Sequence, residues 1–393
     1  MKILAIANGI IGHRPGLSGG EVRFLEIAKR WQKNGQEIEL LSSESAGQIC
    51  QDFGLSVKLH IIPGTKSSNR FSYILRTLQA IFYFPQSLRD FKGDFIYSIN
   101  DSLFDVIPAM RLKARCRSRV KWVALVHWIV PSPPWKRRYS GILNSILFFI
   151  NERISLWLIK SSADLVLCVS EATAASARAF GIDPKKVHAV KCGVDLAVAQ
   201  SAARDVKEKK YDAIYLARLH EHKGSADLSQ IWMAVAGSRK DALLLVAGGD
   251  REDEEAVRAV FDKLGLEKNV EFCGYIFDVK EKFRKLAESR LLLVPSYSEN
   301  WGITIGEAMA CQTPVVAYDA QGLTDIWRDN VSWVPLGDRR AFAVKVLERL
   351  NDHGFLKHMS SKGADFIRQL DWQTIAEEEL KLITAAPEER RRA

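Results

Sequence analysis

Short apolar runs alternate with longer amphipathic ones along most of the chain. KILAIAN at the N-terminus is followed by a loop, then by EVRFLEIAKRWQKNG and QEIELLSS. That order predicts strand, helix and strand, with Gly35 stopping the helix. DFIYSIN, VKWVALVHW, DLVLCVS and KVHAVKCGVD repeat the strand signal in the first half, and YDAIYLARL, ALLLVAGG, NVEFCG, RLLLVPS and PVVAYD repeat it in the second. Strands apolar on both faces belong in a parallel sheet covered by helices, since alternation arises only where one face meets water. Between the two series LAVAQSAARDVKEKK is polar and carries no strong turn signal, so it reads as a join near residues 196–210. The expected fold class is α/β, built as two doubly wound halves.

Length agrees with this division, because 393 residues exceed what one ordinary core encloses. Apolar residues at 47% and charged residues at 26% give the balance of a soluble globular chain. The six cysteines are scattered without a CxxC pair, which argues against a disulfide framework or zinc ribbon and suits a reducing cytosol. MKILAIANGI lacks the small-residue cleavage pattern of a signal peptide and reads as a buried first strand. No uninterrupted apolar stretch approaches the roughly 18–20 residues that cross a bilayer. A net charge of +9 is compatible with nucleic acid, an anionic membrane or small anionic ligands. Basic residues interleaved with aromatics, the mark of a nucleic-acid module, are not found, so no nucleic-acid partner is expected.

Ligands of open α/β sheets bind beyond the carboxyl ends of strands, where the next helix directs its first amides outward. Four stretches fall at such places. In SENWGITIGEAMACQTPVVAYDAQG, residues 298–322, two carboxylates, Glu299 and Glu307, bracket a glycine-containing run that opens a helix. Thr304 and Glu307 have capping-box spacing, so Glu307 either satisfies its own helix or holds the hydroxyls of a sugar. Gly302 and Gly306 permit close backbone approach to a ligand, or tight packing. In YLARLHEHKG, Arg218 and Lys223 sit five apart around a helix start; a guanidinium fork and a mobile ammonium suit a pyrophosphate, while an isolated pair of this kind is more often plain surface charge. His220 and His222 flank them without a third metal ligand. VAGGD places Gly248 at a strand end, where a tight turn passes under a ligand or merely fills a loop. PGLSGGE joins the first strand to the first helix with Gly19 and Gly20 at the entrance; Ser18 is a cap, and the amides are an anion site if they face a cleft. His127, after WVALV, also falls at the carboxyl edge. The GxGxxG dinucleotide fingerprint is absent, which counts against a nicotinamide dehydrogenase.

The ordered set resembles the retaining nucleotide-sugar glycosyltransferases of the GT-B fold, the glycosyltransferase family 4 type. The E-x7-E motif is matched by Glu299 and Glu307, the G-R-L-x-x-x-K-G segment by ARLHEHKG, the strand-end glycine loop by VAGGD and the V-x-F-x-G step by VEFCG. SGGE matches the N-terminal glycine loop, and CVSEAT with KCGVD matches the interdomain region. Two positions depart: Ala217 replaces a glycine before Arg218, and Cys192 stands where asparagine often precedes Gly-Val-Asp.

The resemblance implies two Rossmann-like domains facing a deep interdomain cleft: residues 1–198 for the acceptor, 199–365 for the nucleotide sugar, and 366–393 as a helix crossing back to the first domain. Arg218 and Lys223 would hold the donor diphosphate, Glu307 the ribose hydroxyls and Glu299 the donor sugar. Backbone amides of Asn300, Trp301, Gly302, Ile303 and Thr304 would line the pocket with Gly248. Gly19 and Gly20 would close on the phosphates, and His127 would sit beside the transferred sugar. Neither metal nor cofactor is implied; the nucleotide sugar, a UDP- or GDP-sugar, is the substrate. Transfer would retain configuration by front-face attack, the leaving phosphate helping to deprotonate the acceptor. A glycosidase-like carboxylate pair is the competing chemistry, and it leaves the basic loop unexplained. The acceptor would be a glycan or lipid-linked molecule of cell-surface polysaccharide, lipopolysaccharide or glycolipid synthesis. WKRRYSGILNSILFFINERISLWLIK, residues 135–160, and ILRTLQAIFYFPQSLRDF mix basic and apolar positions that suit peripheral contact with an anionic membrane from the cytoplasmic side. A buried helix is the other reading of the segment from Glu152 onward. A non-catalytic sugar-nucleotide-binding protein is the alternative function; a phosphorylase-like enzyme lacks a lysine-cofactor signature here.

Overall fold

A computed structural model of the protein describes residues 1–8, 17–63, 70–116, 119–130 and 142–385. Pro15 and Gly16 of the first glycine loop, residues 135–141 of the expected acceptor segment and the arginines at 390–392 lie outside the described residues. The chain divides into two units, Met1–Cys192 with the segment from Trp372 onward, and Gly193–Asp371.

The first unit is built on seven strands: β1 (Lys2–Ile6), β2 (Glu37–Ser42), β3 (Lys58–Ile61), β4 (Phe95–Ser98), β5 (Lys121–Val126), β6 (Leu165–Cys168) and β7 (Val187–Ala189). They lie parallel in the order β3-β2-β1-β4-β5-β6-β7, so the winding reverses between β1 and β4. Leu4, Ile6, Trp122, Val126 and Val166 pack into one core on this sheet. β3 escapes the sequence pattern because it is a short edge strand whose KLHI buries His60 and exposes Ile61.

The second unit has six parallel strands: β8 (Ala213–Leu216), β9 (Leu244–Ala247), β10 (Val270–Gly274), β11 (Leu292–Val294), β12 (Val315–Tyr318) and β13 (Ser332–Val334). Their order is β10-β9-β8-β11-β12-β13, with the reversal between β8 and β11. At such a reversal the loops leaving two neighbouring strands part, and a crevice opens beyond their carboxyl ends. Both halves are therefore the Rossmann-like units of the GT-B fold.

The polar join at residues 196–210 needs correction. It contains a helix, Leu196–Arg204, capped by the Asp195 side chain and burying Ala199 and Ala202 against the helix Val279–Ala287 of the same unit. Its buried face consists of alanines, whose weak hydropathy hid the amphipathic period. At the other end of the chain, the helix Trp372–Ala385 packs on the helix Gly19–Lys33 of the first unit, where the Trp31 indole donates to the Ala376 carbonyl at 2.9 Å. Among the described residues no helix is long and apolar enough to cross a membrane.

Candidate functional site

In the second unit the basic loop is held from both ends. β8 ends at Leu216, and the buried Tyr215 hydroxyl donates to the carbonyls of Arg218 (3.1 Å) and Lys223 (3.2 Å), fixing the arc between them. The loop is also tied to the segment after β11, because the Tyr297 amide donates to the His222 carbonyl at 2.9 Å. Tyr297 and Tyr318 both donate to Asp227, at 2.6 and 2.9 Å, in the first turn of the helix Ser225–Ser238. Gly224 caps that helix with φ +75, and a Cβ there would lie 1.9 Å from the Pro295 carbonyl oxygen. Gly224→Ala is thus expected to lose more than about 1 kcal/mol, since alanine is strained at positive φ and must also displace backbone. Gly265→Ala, at φ +68 with open space around the added carbon, carries the strain alone. Parallel thermal unfolding of the two variants checks the order.

Within this frame Lys223 Nζ meets Glu299 Oε1 at 2.7 Å, both side chains largely buried. The spacing of 76 residues in sequence closes onto one ion pair because β8 and β11 are sheet neighbours. Arg218 is exposed and, among the described residues, forms no ion pair. His220 and His222 meet each other, Nδ1 to Nδ1, at 2.7 Å.

Glu307 does not cap its helix. The helix Ile303–Ala310 starts after Gly302 in the left-handed region (φ 72) with no side-chain cap, so Thr304 is its second residue and Glu307 its fifth. Glu307 is buried, and its Oε1 accepts from Lys282 Nζ at 2.5 Å. The other reading of Glu307, as a plain cap of its own helix, fails on this geometry. Gly302, Ile303 and Thr304 are placed at the open first turn, where amides have no intrahelical acceptor. Asn300 is exposed just before it. Trp301 contributes little by its side chain, which is buried against Trp327, while its carbonyl accepts from the Trp327 indole at 2.7 Å. Gly306 is a packing glycine: a Cβ would meet Trp327, Ile367 and Val194 at 2.9–3.1 Å. Gly248, at φ +118, lets the end of β9 pass beneath Ala217, whose carbonyl oxygen would lie 2.1 Å from an added Cβ.

The first unit brings together its own predicted residues. Ser18 is the N-cap of the helix Gly19–Lys33 and shares a full capping box with Glu21, so the SGGE run is a helix start with both glycines in its first turn. Gly20 faces His127 so closely that a Cβ would sit 2.6 Å from the imidazole. The ring follows β5 and bonds through Nε2 to the Ile99 carbonyl at 2.8 Å. Burial pushes His127 down to about 4, so it is neutral at pH 7 and Nε2 carries the proton toward Ile99. Asp101, whose carboxyl is hydrogen-bonded by the His127 backbone, is pushed up to about 7 by burial.

Sequence reasoning missed Tyr215, Asp227, Tyr297 and Lys282. A signal existed for the last. Lys282 lies beside Phe283 and four residues before Leu286, on the apolar side of its helix, where a lysine needs a partner.

Comparison with known proteins extends these findings. A family model for glycosyltransferase family 4 matches residues 17–198, and one for glycosyl transferases group 1 matches residues 199–366. A phosphatidyl-myo-inositol mannosyltransferase of Mycobacterium leprae is 30% identical over 173 residues, 43% of this chain and 45% of that protein. The chain thus matches about half the length of the first such relatives. HepE of Anabaena, solved with UDP and glucose, superposes with TM-score 0.74 at 19% identity, covering 98% of this chain and 100% of its own. Sucrose-phosphate synthase from Thermosynechococcus elongatus gives TM-score 0.76 at 18% identity, covering 98% of both chains. These structures share the fold. With consecutive family models covering both Rossmann-like halves and the E-x7-E glutamates at the carboxyl edge of the second, the chain belongs to the glycosyltransferases of the family 4 type.

Proposed function

We propose that the protein transfers a sugar, with retention of configuration, from a nucleoside-diphosphate sugar to a glycan or lipid-linked acceptor. The observation that carries this reading is the pairing of each E-x7-E glutamate with a lysine: Glu299 with Lys223 at 2.7 Å and Glu307 with Lys282 at 2.5 Å. A glycosidase would present two carboxyl groups to one bond. Here each carboxylate is neutralised, which suits hydroxyl recognition better than proton transfer or nucleophilic attack.

Cleaving a sugar–phosphate bond builds negative charge on the departing nucleoside diphosphate, and fixed donors at that position lower the barrier. Lys223, the exposed Arg218 and the open amides at the start of the helix Ile303–Ala310 supply them. Neutral His127 is suited to a sugar hydroxyl, which a charged imidazolium would not favour over water. No metal or cofactor enters this reading. UDP-sugars are the first donors to try, because HepE holds UDP.

A lipid-linked acceptor is supported by the outer surface of the first unit. The helices Arg70–Phe82 and Ile142–Ser162 both pack on the helix Leu103–Cys116. They expose Ile74, Leu78 and Phe82 on one and Leu147, Phe148 and Trp157 on the other, with Phe82 80% exposed. With a net charge of +9, such a face fits peripheral contact with an anionic membrane from the cytoplasm. The same segment keeps Glu152, Leu156 and Ile159 buried, so the helix serves core and surface together.

A panel of UDP-, GDP- and ADP-sugars tests the proposal. One nucleotide class should raise the unfolding temperature by mass action, and the same donor should lose its sugar slowly to water or to added acceptor. Binding without sugar release, in the presence of glycan and lipid acceptors, would make the protein a sugar-nucleotide-binding protein instead. If no member of the panel binds, the reading fails.

A further inference from the structure

Glu307 has one oxygen committed and one open. Oε1 accepts from Lys282 at 2.5 Å; Oε2 takes no hydrogen bond from the described residues and is not sealed from solvent. A carboxylate on a helix flank swings freely about its last two torsions unless something fixes one oxygen. Lys282 does so from a separate element, the helix Val279–Ala287, which begins at its Asp278 cap a few residues after β10. The two helices are locked together independently of the pair, because the Thr313 hydroxyl after one donates to the Leu286 carbonyl of the other at 2.7 Å. The pair is backed by buried side chains on one side. Cys311 lies buried at the end of Glu307's own helix, and burial pushes its thiol far above the usual range, with Glu307 adding to the rise and Lys282 opposing it. In such surroundings an ion pair adds little net stability compared with apolar residues of similar size, so fixing a geometry is the role left to it.

We propose that Lys282 is a positioning residue that clamps Oε1 of Glu307 so that Oε2 is presented to the ribose hydroxyls of the nucleotide. This rests on the donor-binding role proposed above for Glu307. The lysine acts through the carboxylate, so its loss should be felt where the ribose hydroxyls are, and nowhere else on the nucleotide.

The test compares UDP, GDP and ADP with their 2′-deoxy forms by calorimetric titration of the full chain, for wild type, K282M and K282R. Wild type should bind the ribonucleotide of its preferred base about tenfold more tightly than the deoxy form, the size of one hydrogen bond to a charged group. K282M should lose most of that ratio, to about twofold, while binding the deoxy form nearly as wild type does; K282R should recover it. Thermal unfolding of K282M close to wild type would verify that the fold is kept. A ratio unchanged in K282M, with the ribonucleotide still bound, overturns the clamp and leaves the donor site standing. Failure of wild type to bind any of these nucleotides overturns the donor-site reading itself, and the clamp with it.

Discussion

Glu379→Ala is expected to destabilise the first unit by about 3–5 kcal/mol, the usual cost of removing one partner from a buried ion pair. Glu379 projects from the helix Trp372–Ala385 and pairs with Arg23 of the helix Gly19–Lys33; both side chains are fully buried. Tyr97 on β4 donates to the other carboxylate oxygen at 2.7 Å, and the Arg23 Nε–H donates to the Lys191 carbonyl at 3.1 Å. Burial acts against the arginine charge, yet the Glu379 carboxylate together with Tyr97 and Cys192 outweighs it and holds the guanidinium firmly protonated. Burial and then that same carboxylate push the Tyr97 hydroxyl well above its usual range, so it stays a donor. Alanine at 379 strands a guanidinium out of water, with Tyr97, the Cys192 thiol and the Lys191 carbonyl left beside it. For a unit of about two hundred residues the loss corresponds to roughly 6–20 °C in unfolding temperature. The double variant R23M/E379L should restore much of it, because apolar residues of similar volume replace buried pairs at little cost. An E379A protein that melts within about 2 °C of wild type would mean that water reaches the arginine.

The network also shows why sequence pattern stops short of tertiary structure. Arg23 and Glu379 are 356 residues apart, and each reads as an ordinary polar position on an amphipathic helix. Strands buried on both faces were legible for the opposite reason: β1, β5, β9, β11 and β12 leave no polar alternative for runs such as KWVALV or LLLV. The three-residue β13 and the edge strand β3 carry too few apolar positions to stand out, and the helix Leu196–Arg204 buries only small side chains. Capping chemistry divides in the same way. Ser18 and Glu21 share the spacing of Thr304 and Glu307, and only the first pair forms a capping box. What separates them is Gly302 in the left-handed region, which takes the cap position two residues before Thr304 and carries Glu307 past the first turn. The order of motifs along the chain named the candidate residues; the sequence sets Lys282 on the apolar side of its helix, and the fold supplies the partner it meets there, Glu307.

On the proposed function, Lys223→Ala should lower kcat/KM for the nucleotide sugar by about 10²–10³-fold, the range found when one preorganised donor to a developing oxyanion is removed. The lysine already has a carboxylate partner at 2.7 Å, which raises the question of what it has left to give. A departing diphosphate gains charge as the bond breaks, whereas Glu299 holds a constant single charge. The ammonium has three protons, so it can keep Glu299 and still answer the change at phosphate. The benefit therefore falls chiefly on the transition state, and kcat should drop more than nucleotide affinity. Glu299→Gln separates the two partners. It frees the lysine charge, so nucleoside diphosphate binding should hold or tighten, while sugar transfer falls because the amide no longer accepts strongly from sugar hydroxyls. Lys223→Arg should rescue only in part, since a planar fork cannot occupy the seat of a compact ammonium against Glu299. Steady-state kinetics with the donor found in the panel, alongside titration of the product nucleotide, measures both quantities. A K223A enzyme within threefold of wild type in kcat, at unchanged stability, would place the leaving group away from this lysine and return the pair to a purely structural part in seating the loop on β11.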